Sequence, residues 1–198
     1  HTDLTKDFPQ RQVQFAQYIA RKNRYDFRHF EYDKAAAYIR DIVEIFNAVW
    51  SDFLEDYTPL NYDDIAVIFK QAKPVIEDAY IWFAYDKEKP IGMIVGFPDV
   101  NQIIKGFKGK MHLLNKLRFL WRKKSIAYDR VRFFVGGVIP EYQRKGITAP
   151  LFLHATTALK KNKIKELELS WVGDYNKTLN RVYKQMGNTT HAKTHAVY

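Results

Sequence analysis

The stretch Arg130–Leu159 constrains the fold of this chain more than any other. Arg130–Val138 is an extended, largely apolar run, Pro140–Gly146 is a polar loop, and Leu151, Ala155, Ala158 and Leu159 then recur at helical spacing. Pro150 falls in the first turn of that helix, where a missing N–H costs nothing. Ile164–Trp171 is extended again, which completes a strand–loop–helix–strand unit. Gly136-Gly137 inside the first strand predicts a bulge or a close approach of backbone. A loop that opens directly into a helix points successive backbone N–H groups the same way and suits a pyrophosphate. Gly146 lets the backbone come close to such an anion, and Arg144 and Lys145 add charge. An ordinary surface loop with two cations is the competing reading of the same residues.

The rest of the chain fits around that unit. Pro9–Lys22 has Val13, Ala16, Ile19 and Ala20 on one side of a helix, and Phe27–Tyr32 is strand-like. Asp33 is the expected N-cap of a helix carrying Ile39, Ile42, Val43, Phe46, Val49, Trp50 and Phe53. Asn61 caps another, with Asp63 and Asp64 at its positive end and Pro74 after its last turn. Ala79–Tyr85 and Ile91–Phe97 read as a hairpin around a charged turn. Asn176–Met186 is a helix stopped by Gly187, and Thr190–Tyr198 is a final strand. The expected fold class is α+β, a mixed, mostly antiparallel central sheet with helices on both faces.

Composition narrows the chemistry. The 198 residues include no cysteine, which removes disulfides, thiol nucleophiles and zinc–thiolate sites and fits a reducing, cytoplasmic setting. No apolar run reaches the length of a membrane-spanning helix. The net charge of +10 is local: Lys105, Lys108, Lys110, Lys116, Arg118, Arg122, Lys123 and Lys124 lie between Asn101 and Ala127, where there is no Asp or Glu. Nucleic-acid binding is therefore not expected of the fold. In the same segment Leu113, Leu114, Leu117, Leu120 and Trp121 have amphipathic spacing. A solvated helix over an acceptor cleft, a membrane or other anionic surface site, and a nucleic-acid site are three readings of it.

Two motifs carry a resemblance to the GCN5-related N-acetyltransferase family. Val138 and Pro140 are followed by Gln143 and Gly146, as in that family's cofactor loop, and Asn176, Tyr183, Lys184 and Gly187 follow in the family's order. Thr148 stands where the family has Gly or Ala, and Asn188 where it usually has Phe. Further details (Pro98-Asp99-x-Asn101 and Glu168–Trp171) resemble a bacterial branch in which such a domain ends a longer protein. The chain begins at His1, and residues 1–24 are expected as a leading helix and junction to a further domain, with 25–198 as the acyltransferase domain and 101–127 as a basic helical insertion.

The resemblance implies acetyl-CoA, or another acyl-CoA, as cofactor and an amine on a small-molecule or amino-acid-like acceptor. It implies cofactor contacts from Val138, Ile139, Gln143, Arg144, Lys145, Gly146, Ile147, Thr148 and Asn176, with Tyr183 as general acid. Glu168 and Ser170 share a strand face and are the candidates for moving the amine's proton, with Asp129 and Glu141 behind them. Asn47, Trp50, Asp99 and Asn101 are candidate acceptor contacts. His191 and His195, four apart, do not amount to a metal site. A non-catalytic module of the same fold that binds coenzyme A or a protein remains the alternative, and a homodimer stays open.

Overall fold

The computed structural model describes residues 1–23, 25–51, 57–107, 112–125, 128–170, 172–174, 176–185 and 188–194. Its backbone is organised by one hairpin. β3 (Ile81–Asp86) and β4 (Lys89–Pro98) pair antiparallel through a turn in which Lys87 takes a positive φ of 59°. All but two residues of β4 are buried, as expected for a strand covered on both faces. β2 (Asp26–His29) extends the sheet beyond β3, and β5 (Arg130–Val138) lies on the other side of β4, both antiparallel. β6 (Glu166–Leu169) runs parallel to β5, and β1 (Thr2–Asp3) closes that edge antiparallel to β6. The strand order is β1-β6-β5-β4-β3-β2. The fold is the mixed, mostly antiparallel α+β sheet that the sequence predicts.

Helices cover both faces. α1 (Gln10–Asn23) packs on α6 (Thr148–Lys161), which lies across β3, β4 and β5 with Phe152 edge-on to Phe133. The opposite face carries α2 (Ala35–Trp50), packed on β4 and β5, and α3 (Tyr62–Ala72), packed on α2. Short α4 (Val100–Ile104) and α5 (Leu113–Lys124) follow β4, and α7 (Lys177–Gln185) follows β6. The first 24 residues thus supply an edge strand and a covering helix, with Thr2 fully buried and Leu4 in the core.

Several sequence expectations are corrected. Asp33 caps nothing: it sits inside a single 3₁₀ turn (Tyr32–Lys34) that runs straight into α2, so the helix starts without a side-chain cap. Thr190–Thr194 form no strand; Thr189 makes one bridge to Thr2, and β1 forms the edge beside β6. Phe53, Met186, Gly187 and His195 lie outside the described residues. Asn61 does cap α3, accepting from the Asp64 N–H at 2.9 Å.

The bulge in β5 is real but displaced. Val95 pairs with Val135 while Gly96 pairs with Phe133, so Phe134 is the extra residue. Gly137 instead explains itself by close approach: a Cβ there would lie 3.0 Å from Val49 and 3.3 Å from Trp50 on α2. Gly96, opposite the bulge, has even less room, with Phe133 at 2.8 Å and the Tyr80 carbonyl oxygen at 2.9 Å from a Cβ position. Gly96→Ala is therefore expected to destabilise the protein by about 1–3 kcal/mol, since the carbonyl cannot rotate away as a side chain could. Urea unfolding of the single variant measures it, and an unchanged midpoint would contradict the packing described.

Candidate active site

β5 and β6 are partners only over Arg130–Phe133 and Glu166–Leu169. One more bond, from the Ser170 N–H to the Phe133 carbonyl at 3.1 Å, ends the ladder. Beyond the Phe134 bulge β5 continues to Val138, and among the described residues no strand pairs with its β6-facing edge there. Backbone groups on an unpaired edge inside a fold need a partner, whether water or ligand.

The loop after β5 is shaped by two left-handed residues. Pro140–Tyr142 makes a 3₁₀ turn, then Arg144 has φ 63° and Gly146 φ 81°. For Arg144 that conformation costs about 1–2 kcal/mol, so the surroundings must hold it. Within the loop the Gln143 N–H pairs with the Pro140 carbonyl at 3.2 Å and the Lys145 N–H with the Tyr142 carbonyl at 3.4 Å. Among the described residues, the N–H groups of Arg144, Gly146, Ile147 and Thr148 have no acceptor, and Pro150 has no N–H to satisfy. These unpaired donors, together with the dipole of the 14-residue α6, make a cradle for an anion.

Each expected cofactor residue has a definite place. Ile139 and Ile147 turn their side chains into the core, so only their backbone can meet a ligand, and the Ile139 N–H is already bonded to the Ile91 carbonyl at 3.0 Å. The Gln143 side chain donates to the Val138 carbonyl at 3.2 Å, bridging the end of β5. Lys145 lies over the Tyr142 ring, 4.1 Å from its centroid, while Arg144 is exposed. Tyr142 donates to Asp86 at 2.7 Å, which anchors the turn to the β3–β4 hairpin and pushes the phenol up to about 12. Gly146 also has a role the sequence did not disclose: Phe15 and Ile19 of α1 sit 3.2 Å from where its Cβ would be. The leading helix therefore packs directly against the loop.

Asn176 is the N-cap of α7, accepting from the Leu179 N–H at 3.0 Å. Tyr183, two turns on, is half-buried against the core, and burial pushes its hydroxyl up to about 12. That hydroxyl has no hydrogen-bond partner among the described residues.

The remaining candidates do not gather at the loop. Asn47 is engaged by a neighbouring segment: it donates to the Leu60 carbonyl at 3.0 Å, accepts from the Leu60 N–H at 2.9 Å and accepts from the Tyr57 hydroxyl. Trp50 stacks on Phe46 with centroids 4.4 Å apart and lies over Gly137, covering the last turn of β5 from the α2 side. Asp99 caps α4 and pairs with Arg130, and Asn101 is exposed. Those two stand at the start of β5, which places them about 25 Å along the strand from the loop at its end. Glu168 pairs with Arg132 at 3.5 Å, and Glu166 with Arg130 at 2.8 Å, so a row of half-buried ion pairs lines one face of the β5–β6 pair. Glu166, which the sequence did not single out, holds Arg130 above its ordinary value and also meets His1. Among the described residues no cluster of His, Asp and Glu could hold a metal.

A parallel pair that parts beside an anion cradle, between two helical layers, is the layout of an acyl-CoA N-acyltransferase fold. The sequence model of the Acetyltransferase (GNAT) family matches residues 42–187, and the chain belongs to that family. It is 29% identical over 167 residues to the bacterial ceramide synthase of Caulobacter vibrioides (strain NA1000 / CB15N), a match covering 81% of this chain and 42% of that protein. It is also 29% identical over 148 residues to Protein YghO of Escherichia coli (strain K12), covering 73% of this chain and 38% of that one. The matched region is thus less than half the length of either relative. In structure it resembles an aminoglycoside acetyltransferase from an uncultured soil metagenomic sample, with a TM-score of 0.59 and 11% identity over 88% of this chain and 94% of the other. At that identity the likeness concerns the fold.

The bonds of Asn47 carry a prediction. Asn47→Ala strands the Leu60 N–H and carbonyl and should cost about 1–3 kcal/mol of stability. Affinity for coenzyme A should stay within about twofold of the unmodified protein, because Asn47 holds the segment before α3 rather than the cradle. Thermal melts and titration calorimetry on the variant check both halves.

Proposed function

We propose that this domain transfers an acyl group from acyl-coenzyme A to the amine of a small-molecule or amino-acid-like acceptor. The observation that carries the reading is the set of four acceptor-free N–H groups from Arg144 to Thr148 beside the unpaired end of β5. Backbone donors at a helix start favour a pyrophosphate. The β6-facing edge of β5 beyond Phe134, where among the described residues no strand pairs and Gln143 engages the Val138 carbonyl, offers amide-pairing groups to the amide-bearing arm that joins pyrophosphate to thioester in coenzyme A. Thr148 does not obstruct this, because its side chain is exposed at the first turn of α6.

In the reaction the amine nitrogen attacks the thioester carbonyl, the C–N bond forms and the C–S bond breaks. The ammonium proton leaves through Glu168, directly or by way of water, and the sulfur departs toward Tyr183. Burial pushes the Tyr183 hydroxyl up to about 12. Tyr183 is therefore a hydrogen-bond donor to the forming thiolate, and it stays protonated throughout the physiological range. The Caulobacter relative is named for making a ceramide, an amide-linked lipid. That name supports amide formation here and makes long-chain amines a natural part of any acceptor panel.

Tyr183→Phe tests the assignment. Release of free thiol from acetyl-CoA in the presence of a working amine should fall by about 10²–10⁴-fold. Stability should hold or rise slightly, because the hydroxyl removed has no partner among the described residues. Turnover near that of the unmodified protein would remove Tyr183 from the chemistry. Binding of acyl-CoA with no amine-dependent thiol release across the panel would favour a non-catalytic module.

A further inference from the structure

The apolar stripe that the sequence predicts on α5 points outward. Leu113, Leu114, Leu117, Leu120 and Trp121 are each between 53% and 72% exposed. At 100° per residue these five occupy one arc of the helix, and the buried residues Asn115 and Phe119 occupy the opposite side. The orientation is fixed by bonds on the inner side. Arg122 donates to the carbonyls of Ile103 at 2.9 Å and Lys105 at 2.7 Å, and Arg118 and Arg122 lie over the Phe107 ring. Lys123 pairs with Glu77 at 2.9 Å. Rotating the helix to hide its leucines would break all of these.

We propose that α5 docks on a lipid bilayer bearing anionic headgroups, with the five apolar side chains in the interfacial layer. Exposed Lys116 and Arg118 stand on the two flanks of the stripe and Lys124 at its end, where long cationic side chains reach phosphates beside an inserted apolar face. Tryptophan is favoured at that depth, and Trp121 lies within the stripe. The whole segment 101–127 has eight cations and no acidic residue, the charge pattern that an anionic surface attracts. Other occupants fit less well. A symmetric second copy would set these cations against their own counterparts. A nucleic acid would meet leucines at the centre of the patch instead of cations. The proposal is independent of the acyl-transfer reading, since it uses no residue of the candidate site.

Co-sedimentation of the full chain with vesicles tests it. Binding is expected to phosphatidylcholine vesicles containing phosphatidylglycerol, and to weaken without the anionic lipid or at raised salt. Lipids brominated near the headgroup should quench Trp121 emission, seen as quenching lost in Trp121→Phe. Leu117→Ser combined with Leu120→Ser changes exposed positions only, so folding should survive, as circular dichroism would verify, while vesicle partitioning falls about tenfold or more. The proposal is overturned if the chain stays in solution with anionic vesicles or if the double variant binds them equally well. It is also overturned if the double variant instead dissolves a dimer seen in sedimentation, or loses affinity for nucleic acid with no change on vesicles.

Discussion

At Phe134 β5 takes in one extra residue against β4, and at the same place its pairing with β6 stops. Up to Phe133, β5 pairs on both sides, antiparallel with β4 and parallel with β6. The Val95/Gly96 step on β4 absorbs the extra residue, and Gly96 is needed there because Phe133 and the Tyr80 carbonyl fill the space a side chain would take. From that point, among the described residues, β5 keeps only its β4 partner. Its other edge is opened without any loss of core packing, because Phe133 still meets Phe152 of α6 below and Gly137 still meets Val49 and Trp50 above. The loop that follows then delivers its unpaired N–H groups to the end of the same opening. The bulge and the cradle thus act together: one frees an edge of amide groups, the other supplies an anion site where that edge ends.

Charge is divided along β5. Near its start the acidic groups Asp99, Glu166 and Glu168 are matched with Arg130 and Arg132, leaving a polar face of paired ions. Near its end the loop carries Arg144 and Lys145, with Glu141 paired to Lys89 and Asp86 accepting from Tyr142. The leading helix adds a further link. Phe15 and Ile19 press on Gly146, so the loop's left-handed geometry is braced by residues that precede the family-matched region.

How much of this was legible depended on whether a feature leaves a chemical mark. The loop after β5 did: Gly146 takes a positive φ of 81°, and Pro150 falls in the first turn of α6. Gly136-Gly137 drew attention to β5, yet the bulge fell on Phe134, a residue with no turn chemistry; the glycines mark close packing. β1 was unforeseeable from two residues, Thr2 and Asp3, with no apolar alternation. In α5 periodicity revealed an apolar stripe but not what covers it, since the same spacing serves a core and a surface. Asn47 looked like a pocket residue because a lone amide on an apolar helix invites that reading; its true partners, Tyr57 and Leu60, are close in sequence but joined to it only by a loop.

The central claim is that coenzyme A pairs with the N–H groups of Arg144, Gly146, Ile147 and Thr148 and with the β6-facing edge of β5 beyond Phe134. Amide hydrogen exchange, followed residue by residue with and without coenzyme A, tests it directly. The account predicts slowed exchange at Arg144, Gly146, Ile147 and Thr148 together with the β6-facing amides between Val135 and Val138, with little change at α3 or β2. Slowed exchange elsewhere with these amides unaffected would contradict it.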